Sequence, residues 1–318
     1  NQFKHTPQFK YTTKKKYTML EHPRSLISSL VYVGAIYLSN SFLHKLKTMK
    51  ENNNQHLKFT RDDPFVIKTR IFFVSVSTLL TYLVLFYYKD SGLNTQKFIK
   101  IMQLEHGLIP SYDNLVEFTK EIFFFIKLGL ILYSSEIFDR IVGGYVSSKT
   151  TKAFIKNTLL NFDFDIWFIR ASVFAPITEE LIFTLVSQED YNNEVIFKNS
   201  IMYFGIAHLH HGYELYVDDN NAYSLINIAI SCLIQLVYTS IFGHISNIIY
   251  SEKSSHSKII NSIIIHSICN YFSFPSLTTT GLYFCEHRVN KLYKFIYECV
   301  HKALLFIGLY VFLKYIYW

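Results

Sequence analysis

Long runs of apolar residues that contain almost no charge constrain this chain more than any other feature of its sequence. Ile71–Tyr88 and Ala303–Trp318 are the clearest examples, and each is about long enough to cross the hydrocarbon core of a bilayer. Only 17% of the residues are charged, against roughly 25% in soluble domains. A soluble protein of this length would instead distribute its apolar residues along amphipathic elements. The sequence therefore predicts a protein that crosses a membrane several times.

Eight apolar segments can be assigned, and they predict an all-α, polytopic membrane protein of about eight transmembrane helices. The first, second, sixth and eighth segments are the clearest, whereas the others carry polar or charged side chains that lipid-facing helices do not tolerate. We expect those side chains to line a polar cavity inside the bundle. The segments lie near residues 25–43, 71–88, 122–138, 164–187, 195–210, 224–249, 259–275 and 303–318.

The charged and mixed stretches complete the predicted organisation. The formal net charge is +7, and part of the excess lies in a basic N-terminal arm, residues 1–24, which we expect to face anionic lipid headgroups. The basic residues form no long stripe with aromatics, so nucleic-acid binding is not expected. Residues 25–318 are predicted to form a single membrane-embedded domain, with the chemistry-bearing motifs within 160–275. The mixed stretch 89–120 predicts an interfacial helix or a re-entrant piece.

Two adjacent carboxylates, Glu179 and Glu180, lie between apolar runs. Pro176 suits the first turn of a helix, so we expect both acids near a helix N-terminus, where the helix dipole favours negative charge. Adjacent helical positions point about 100° apart, which predicts different roles for the two carboxylates. The alternative is a helix end at the water interface, with both acids solvated.

Histidines follow on later apolar segments. Phe204 and His208 are four residues apart and share a helix face, as do His266 and Asn270. His208 and His211 have a spacing that could hold a metal, but no HExxH motif or acid at zincin spacing accompanies them. Taken singly, His208 also fits a hydrogen-bonded core residue, and His266 with Asn270 also fits a hydrogen-bonded contact between helices.

Together the three segments supply the parts of a hydrolytic site. A carboxylate beside a histidine can hold and deprotonate water, and a second histidine with an asparagine can donate hydrogen bonds to a developing oxyanion. The sequence thus predicts a peptidase without a serine or cysteine nucleophile. The alternative from another class is a transporter, with Glu179, His208 and His266 as a proton or metal relay. No pairing of broken helices in two halves of the chain supports that alternative.

The same residues resemble the motifs of the type II CAAX prenyl proteases, the Ras-converting endopeptidases of the endoplasmic reticulum. These belong to a wider family of glutamate-dependent intramembrane proteases. The family motifs are a Glu-Glu pair, FxxxH and HxxxN (or HxxxD), in that order. They read here as Glu179-Glu180, Phe204…His208 and His266…Asn270. The tracts 61–70, 174–178 and 204–214 also resemble the eukaryotic members. One position departs from the pattern, because much of the wider family carries arginine where this chain has Thr184.

The resemblance implies catalytic roles for four residues. Glu179 is implied to be the general base and, together with His208, to hold the attacking water. His266 and Asn270 are implied to form the oxyanion site. The sequence motifs assign these roles by position, so the three-dimensional arrangement of the four side chains is the critical test of the assignment.

Supporting roles are implied for three further residues. Phe204 shapes the pocket one turn below His208, and Glu180 supports the site. Arg170 lies just upstream and is expected either to pair with Glu180 or to meet the carboxylate of the substrate.

The implied substrates are proteins that carry a farnesyl or geranylgeranyl group on the cysteine of a C-terminal CAAX sequence, such as small GTPases. Cleavage removes the last three residues, and the prenyl chain partitions into lipid, which suits a site inside a membrane. The implied location is the endoplasmic reticulum membrane. We expect no metal cofactor, with zinc as the open alternative. A glutamate-type protease with an unprenylated substrate is the alternative within the same class.

Overall fold

The computed structural model of the protein describes residues 24–51, 62–90, 95–147, 164–186, 202–217, 224–279 and 290–318. These residues are helical and include no β-strand, which confirms the predicted all-α class. The predicted basic arm up to residue 23 and the beginning of the fifth apolar segment, 195–201, lie outside the described residues. The helices are α1 (Arg24–Glu51), α2 (Pro64–Asp90), α3 (Thr95–Leu104), α4 (Leu115–Leu132), α5 (Ser134–Ser147), α6 (Ile166–Leu185), α7 (His210–Val217), α8 (Leu225–Ile248), α9 (Lys258–Phe272) and α10 (Lys291–Tyr317).

Four helices are long and apolar enough to cross a membrane: Ser25–Met49, Pro64–Val84, Leu225–Lys253 and Lys291–Tyr317. They coincide with the four segments that the sequence predicted most clearly. Many of their large apolar side chains point outward, as on α8, where Ile226 is 71% exposed and Ile234 is 64% exposed. Such an outer surface suits contact with lipid rather than with water. Helix α9 is only 15 residues long, shorter than the roughly 20 residues that span a typical bilayer core.

Helix α9 lies at the centre of the bundle and contacts α4, α6 and α8. Its side chains Ile265 and Cys269 are buried in one apolar core with Phe125 of α4 and Phe183 of α6. Helix α1 packs along α2 and also reaches α6, while α10 packs against α4 and α5. The helix that carries His266 is therefore held from several sides.

Helix α6 alternates between two helical geometries. It is α-helical at Ile166–Phe168 and Ala175–Glu179 and forms wider π turns at Ile169–Phe174 and Glu180–Leu185. The expectation that Pro176 starts the helix is wrong, because Pro176 lies well inside this continuous run. The helix dipole acts over the first turn, so it does not account for the position of the carboxylates of Glu179 and Glu180. Proline lacks a backbone N–H and crowds the preceding turn, and here that turn is a π turn, of the kind frequent at functional sites.

The stretch 89–120 contains the predicted helix, α3, and then turns back onto the start of α9. Gly107 makes this turn at a φ of +58°, a region that residues other than glycine rarely adopt, and a Cβ there would collide with the carbonyl of His256. The carbonyl of His106 accepts a hydrogen bond from the Ile259 N–H at 3.1 Å. The predicted alternatives of an interfacial or a re-entrant position stay open.

One carboxylate, that of Glu121 on α4, fixes the N-terminal end of α9. It accepts hydrogen bonds from the backbone N–H groups of Ser255, His256 and Ser257 at 3.0–3.1 Å and from the Ser257 hydroxyl at 2.9 Å. Burial alone would raise the pKa of this carboxyl, but the donated hydrogen bonds outweigh burial and hold the pKa below its ordinary value. Helix α9 therefore begins at a defined position relative to α4.

Replacing Glu121 by Gln should lower thermal stability in detergent by about 2–4 °C at pH 7, because an amide is the weaker acceptor and brings N–H groups toward other donors. The folded-state pKa of Glu121 is lowered, so its contribution is present above the ordinary carboxyl pKa and is lost as the pH falls through the folded value. We therefore expect the difference between the two proteins, measured by thermal unfolding, to shrink in acid.

Glu117 supplies the matched control on the same helix. Its carboxylate is 52% exposed and lies 4.0 Å from the Lys120 ammonium, so Glu117→Gln should change the unfolding temperature little. A Glu121→Gln effect that is independent of pH would contradict the assigned role of the charge.

Candidate active site

Three polar side chains from separate helical segments meet in the structure. Glu179 Oε2 lies 3.8 Å from His208 Nε2 and 3.5 Å from His266 Nε2. The side chains of Glu179 and His208 are each 14% exposed and that of His266 is 6% exposed. Both imidazoles therefore stand just beyond direct hydrogen-bonding distance of the carboxylate, and a water molecule can bridge such separations. We call these three residues the Glu–His–His cluster.

His208 owes its orientation to a break in its own helix. Residues 202–207 are helical, and the chain then tightens so that the His208 N–H bonds the Gly205 carbonyl at 3.1 Å instead of the Phe204 carbonyl. The Phe204 carbonyl is left facing His208 Nδ1, 2.8 Å away. Because a carbonyl only accepts, Nδ1 must carry the hydrogen. The other ring nitrogen, Nε2, is thereby directed at Glu179.

Glu180 turns away from Glu179 into the protein interior and is 2% exposed. Its Oε1 atom lies 2.8 Å from His266 Nδ1, and its Oε2 atom accepts hydrogen bonds from the hydroxyls of Thr184 at 2.7 Å and Ser246 at 2.5 Å. A carboxylate buried this deeply requires such partners. With two hydroxyl donors already in place, Glu180 acts as an acceptor, so His266 Nδ1 donates to it. The His266 ring is thereby fixed with Nε2 toward Glu179.

The Glu–His–His cluster lines a cavity of about 350 Å³ between α1, α2, α6, α8 and α9. This volume is at the lower end of the range for small-molecule sites, roughly 300–1,000 Å³. Aromatic side chains such as Tyr32, Phe174 and Phe242 form much of the remaining wall. The Tyr32 hydroxyl lies 3.2 Å from the Thr178 hydroxyl, which ties α1 to α6 directly beside the acids. The cavity thus combines a small polar corner with a mostly apolar wall.

Phe204 is buried beneath both histidines. Its ring packs edge-on against His208, with centroids 4.7 Å apart, and against His266 at 6.1 Å. Its neighbour Gly205 allows this segment to approach α8, because a Cβ there would lie 2.9 Å from the Leu236 carbonyl oxygen. The aromatic contact restricts the two imidazoles to the orientation that faces Glu179.

Asn270 also lines the cavity, one turn beyond His266, but its amide is already used in part. Nδ2 donates a hydrogen bond to the Ala171 carbonyl at 2.9 Å. A side-chain amide has two N–H donors, so one is committed to holding the end of α9 against α6. The second N–H is the one that a ligand in the cavity could use.

Comparison with known proteins shows what the part of the chain that carries this arrangement is similar to. Residues 162–272, which include the whole Glu–His–His cluster and Asn270, match the family described as type II CAAX prenyl endopeptidase Rce1-like. Over most of its length the chain is 24% identical to CAAX prenyl protease 2 of Saccharomyces cerevisiae, an alignment that covers 87% of this chain and 92% of the yeast protein. The chain is similar to the type II CAAX prenyl endopeptidases.

Shorter alignments relate this chain to proteins from other kingdoms. It is 30% identical to CAAX prenyl protease 2 of Homo sapiens over 36% of this chain and 34% of the human protein. It is also 30% identical to CAAX prenyl protease 2 of Arabidopsis thaliana over 35% of this chain and 36% of the plant protein. No solved structure matches significantly. The similarity to these proteins therefore rests on sequence, and the site geometry is an independent observation.

The departure at Thr184 has a clear structural counterpart in this chain. Its hydroxyl donates to Glu180 from one helical turn away, beside the Ser246 hydroxyl from α8. Two neutral donors thus satisfy the buried carboxylate at a position where much of the wider family carries a cation. Sequence reasoning missed Ser246, because a serine inside a long apolar span gives no distinguishing signal.

Arg170 lies on the cavity wall, but the expectation that it pairs with Glu180 is wrong. Its Nη1 atom lies 3.1 Å from Oδ1 of Asp62, two residues before the start of α2. Arg70, which the sequence did not single out, lines the same cavity, and its Nη2 atom bonds Glu214 Oε1 at 2.7 Å. Two guanidinium groups therefore border the cavity, each paired with a carboxylate.

One group of three potential metal ligands occurs among the described residues. His210, His211 and Glu214 offer ligand atoms within 4.8 Å of one another, whereas the Glu–His–His cluster does not form such a group. His208, predicted as a candidate partner of His211, is outside it. Because Arg70 already supplies a positive charge to Glu214, the group suits a divalent cation poorly.

The hydrogen-bond pattern predicts the tautomer of His208. In protein with ¹⁵N-labelled histidine, the His208 resonances should report hydrogen on Nδ1 and none on Nε2, because the Phe204 carbonyl accepts only from Nδ1. Glu180→Gln should change the ring resonances of His266 and leave those of His208 nearly unchanged, since Glu180 contacts only His266 of the two. A neutral His208 with hydrogen on Nε2 would contradict the described orientation.

Proposed function

We propose that the protein is an intramembrane endopeptidase that removes the last three residues from prenylated CAAX proteins, using water activated by Glu179 and His208. The observation that carries the proposal is the convergence of two imidazole Nε2 atoms on one oxygen of Glu179 at the wall of a buried cavity. The yeast, human and plant relatives named as CAAX prenyl proteases support the substrate class.

The attacking water is proposed to bind between Glu179 and His208. His208 Nε2 carries no hydrogen when its Nδ1 donates to Phe204, so it accepts a hydrogen bond from the water. Glu179 accepts the other water proton as the water oxygen attacks the carbonyl carbon of the prenylated cysteine. The two acceptors orient the water and raise its nucleophilicity, which is the work of a general base.

The developing oxyanion is proposed to receive hydrogen bonds from His266 Nε2 and Asn270 Nδ2. His266 Nδ1 already donates to Glu180, so its Nε2 atom donates only when the ring is an imidazolium. Carboxylates on both sides, Glu180 at 2.8 Å and Glu179 at 3.5 Å, stabilise that positive charge. A fixed donor pair of this kind favours the transition state because it needs little reorganisation.

Collapse of the tetrahedral intermediate completes the proposed reaction. The carbon–nitrogen bond breaks, and Glu179 returns the proton it took from water to the departing amine. The products are a protein ending in a prenylated cysteine carboxylate and a free tripeptide. The balance requires one water molecule and no metal, nucleophilic serine or nucleophilic cysteine, so we propose catalysis without a metal cofactor.

The surroundings of the site suggest how the substrate is held. Arg170 borders the cavity next to Ala171, and we propose that its guanidinium meets the terminal carboxylate of the substrate. The prenyl group anchors the substrate to the bilayer. We further propose that residues 122–132 of α4, together with α6, α9 and residues 202–217, also lie within the membrane, which gives about eight spans. The proposed location is the endoplasmic reticulum membrane, and prenylated small GTPases are the proposed protein substrates.

The decisive experiment measures tripeptide release by the purified protein from a farnesylated CAAX peptide, with the unprenylated peptide in parallel. Release should require the prenyl group and should persist in a strong chelator. Glu179→Gln, His208→Ala and His266→Ala should each lower kcat by roughly 10²–10⁴-fold, the usual contribution of acid–base catalysis. His244→Ala, a histidine of α8 outside the cavity, is the matched control and should retain activity.

Three outcomes would contradict parts of the proposal. Equal cleavage of the unprenylated peptide would move the protein to the alternative of a glutamate-type protease with a different substrate. Full activity of any one of the three variants would remove that residue from the mechanism, and loss of activity with the chelator would restore the metal alternative.

Asn270→Ala should lower kcat by roughly 10²-fold with a smaller effect on KM, because the proposed hydrogen bond strengthens only as the oxyanion forms. Steady-state kinetics on the farnesylated peptide checks this. Asn270→Asp provides a comparison that adds a negative charge at the same place, since a carboxylate would repel the oxyanion. A large rise in KM with unchanged kcat would instead assign Asn270 to substrate binding.

A further inference from the structure

A second cavity lies directly behind the candidate active site. It has a volume of about 450 Å³ and is bounded by α8, the C-terminal part of α9, residues 274–277 and α10. Its wall is almost entirely apolar, with side chains such as Leu277, Leu309 and Phe312. Apolar space of this size fits an extended hydrocarbon better than a peptide, whose backbone groups would find no hydrogen-bonding partners there.

The two cavities share part of their walls. Tyr238, Phe242 and Cys269 line both of them. Phe242 contacts the His266 ring, with centroids 4.6 Å apart, and Cys269 immediately precedes Asn270. A single layer of side chains therefore separates the apolar cavity from the groups proposed to hold the oxyanion.

The turn after α9 forms one side of this partly open cavity and is held in a defined position. Ser273 has a φ of +64°, a conformation that a residue other than glycine rarely adopts. Its carbonyl accepts a hydrogen bond from the Tyr133 hydroxyl at 2.8 Å, and the Tyr133 ring stacks on Phe272 at 4.9 Å. These contacts direct Phe274 and Pro275 over the cavity, so the site is a built feature of the fold.

The chemistry of the proposed substrate requires apolar space at this place. The isoprenoid is attached to the side chain of the same cysteine whose carbonyl is attacked, so its first carbons must lie within a few bonds of the cleaved bond. The catalytic cavity carries a polar corner and two guanidinium groups in its otherwise apolar wall, whereas the adjoining cavity is lined almost entirely by apolar side chains.

We propose that the second cavity holds the isoprenoid chain of the substrate. The chain would pass between Tyr238 and Cys269, and α10 would contact its far end, so that residues such as Leu309 set the length of chain that is accepted. This inference rests on the proposed function, because it assigns a binding place to the prenyl group of that substrate.

Filling the cavity tests the inference. Leu309→Trp and Ile241→Trp add a large ring to its wall from two different helices. Each should lower kcat/KM for a geranylgeranylated peptide by at least about tenfold, mainly through KM, and should lower it less for the shorter farnesylated peptide. Ile307→Trp and Ile234→Trp are the matched controls, since both side chains are exposed on the same two helices and do not line the cavity. These control variants should change kcat/KM for either peptide by less than about twofold.

Photo-crosslinking provides a readout that does not depend on turnover. A farnesylated peptide with a diazirine at the end of its isoprenoid, bound to the Glu179→Gln variant, should label α10 and residues 274–277. Labelling confined to α1 and α2, or Trp variants that behave like their controls with both peptides, would overturn the inference and leave bilayer lipid as the occupant. Wild-type protein that cleaves no prenylated peptide would instead contradict the proposed function, and the labelling pattern would still decide where an isoprenoid binds.

Discussion

The buried carboxylate of Glu180 is the constraint on which the rest of the site depends. A carboxylate removed from water is stable only when hydrogen-bond donors replace its hydration. Here the donors come from three helices: Thr184 on α6 itself, Ser246 on α8 and His266 on α9. The need to satisfy one charge therefore fixes the relative positions of these helices and, through His266, the position of an imidazole beside Glu179. Assembly of the core and assembly of the site are in this respect the same event.

Two different devices orient the two histidines of the cluster. A carboxylate holds His266 through its Nδ1 atom, whereas a backbone carbonyl holds His208 through the corresponding atom. The first arrangement favours a positively charged ring, and the second leaves a neutral ring with a free acceptor. Two chemically identical side chains are thus prepared for opposite tasks, one as donor and one as acceptor. The polarity of the site follows from these partners rather than from the histidines themselves.

Sequence reasoning reached the all-α class and located the four helices that are long and apolar enough to cross a membrane, because long apolar runs are local signals. The predicted total of about eight spans stays a prediction. Sequence reasoning also named the three residues that the structure brings together as the Glu–His–His cluster, because charges inside apolar runs are local signals too. It did not reach the π turns of α6, since these depend on hydrogen-bond geometry around Pro176 that residue spacing does not encode. It also missed Ser246 and Tyr32, whose importance comes only from what lies opposite them in space. The partner of Arg170 was misjudged for the same reason, because Asp62 is distant in sequence and adjacent in the fold.

The break in the helix at His208 has a consequence for how this position tolerates change. The imidazole completes the hydrogen bonding of its own main chain by occupying a carbonyl that the interrupted helix leaves open. A small side chain at position 208 would remove the imidazole. It would also leave the Phe204 carbonyl without the hydrogen-bond donor that His208 Nδ1 provides. Asparagine, whose amide N–H could still reach that carbonyl, would separate the loss of chemistry from the damage to the backbone.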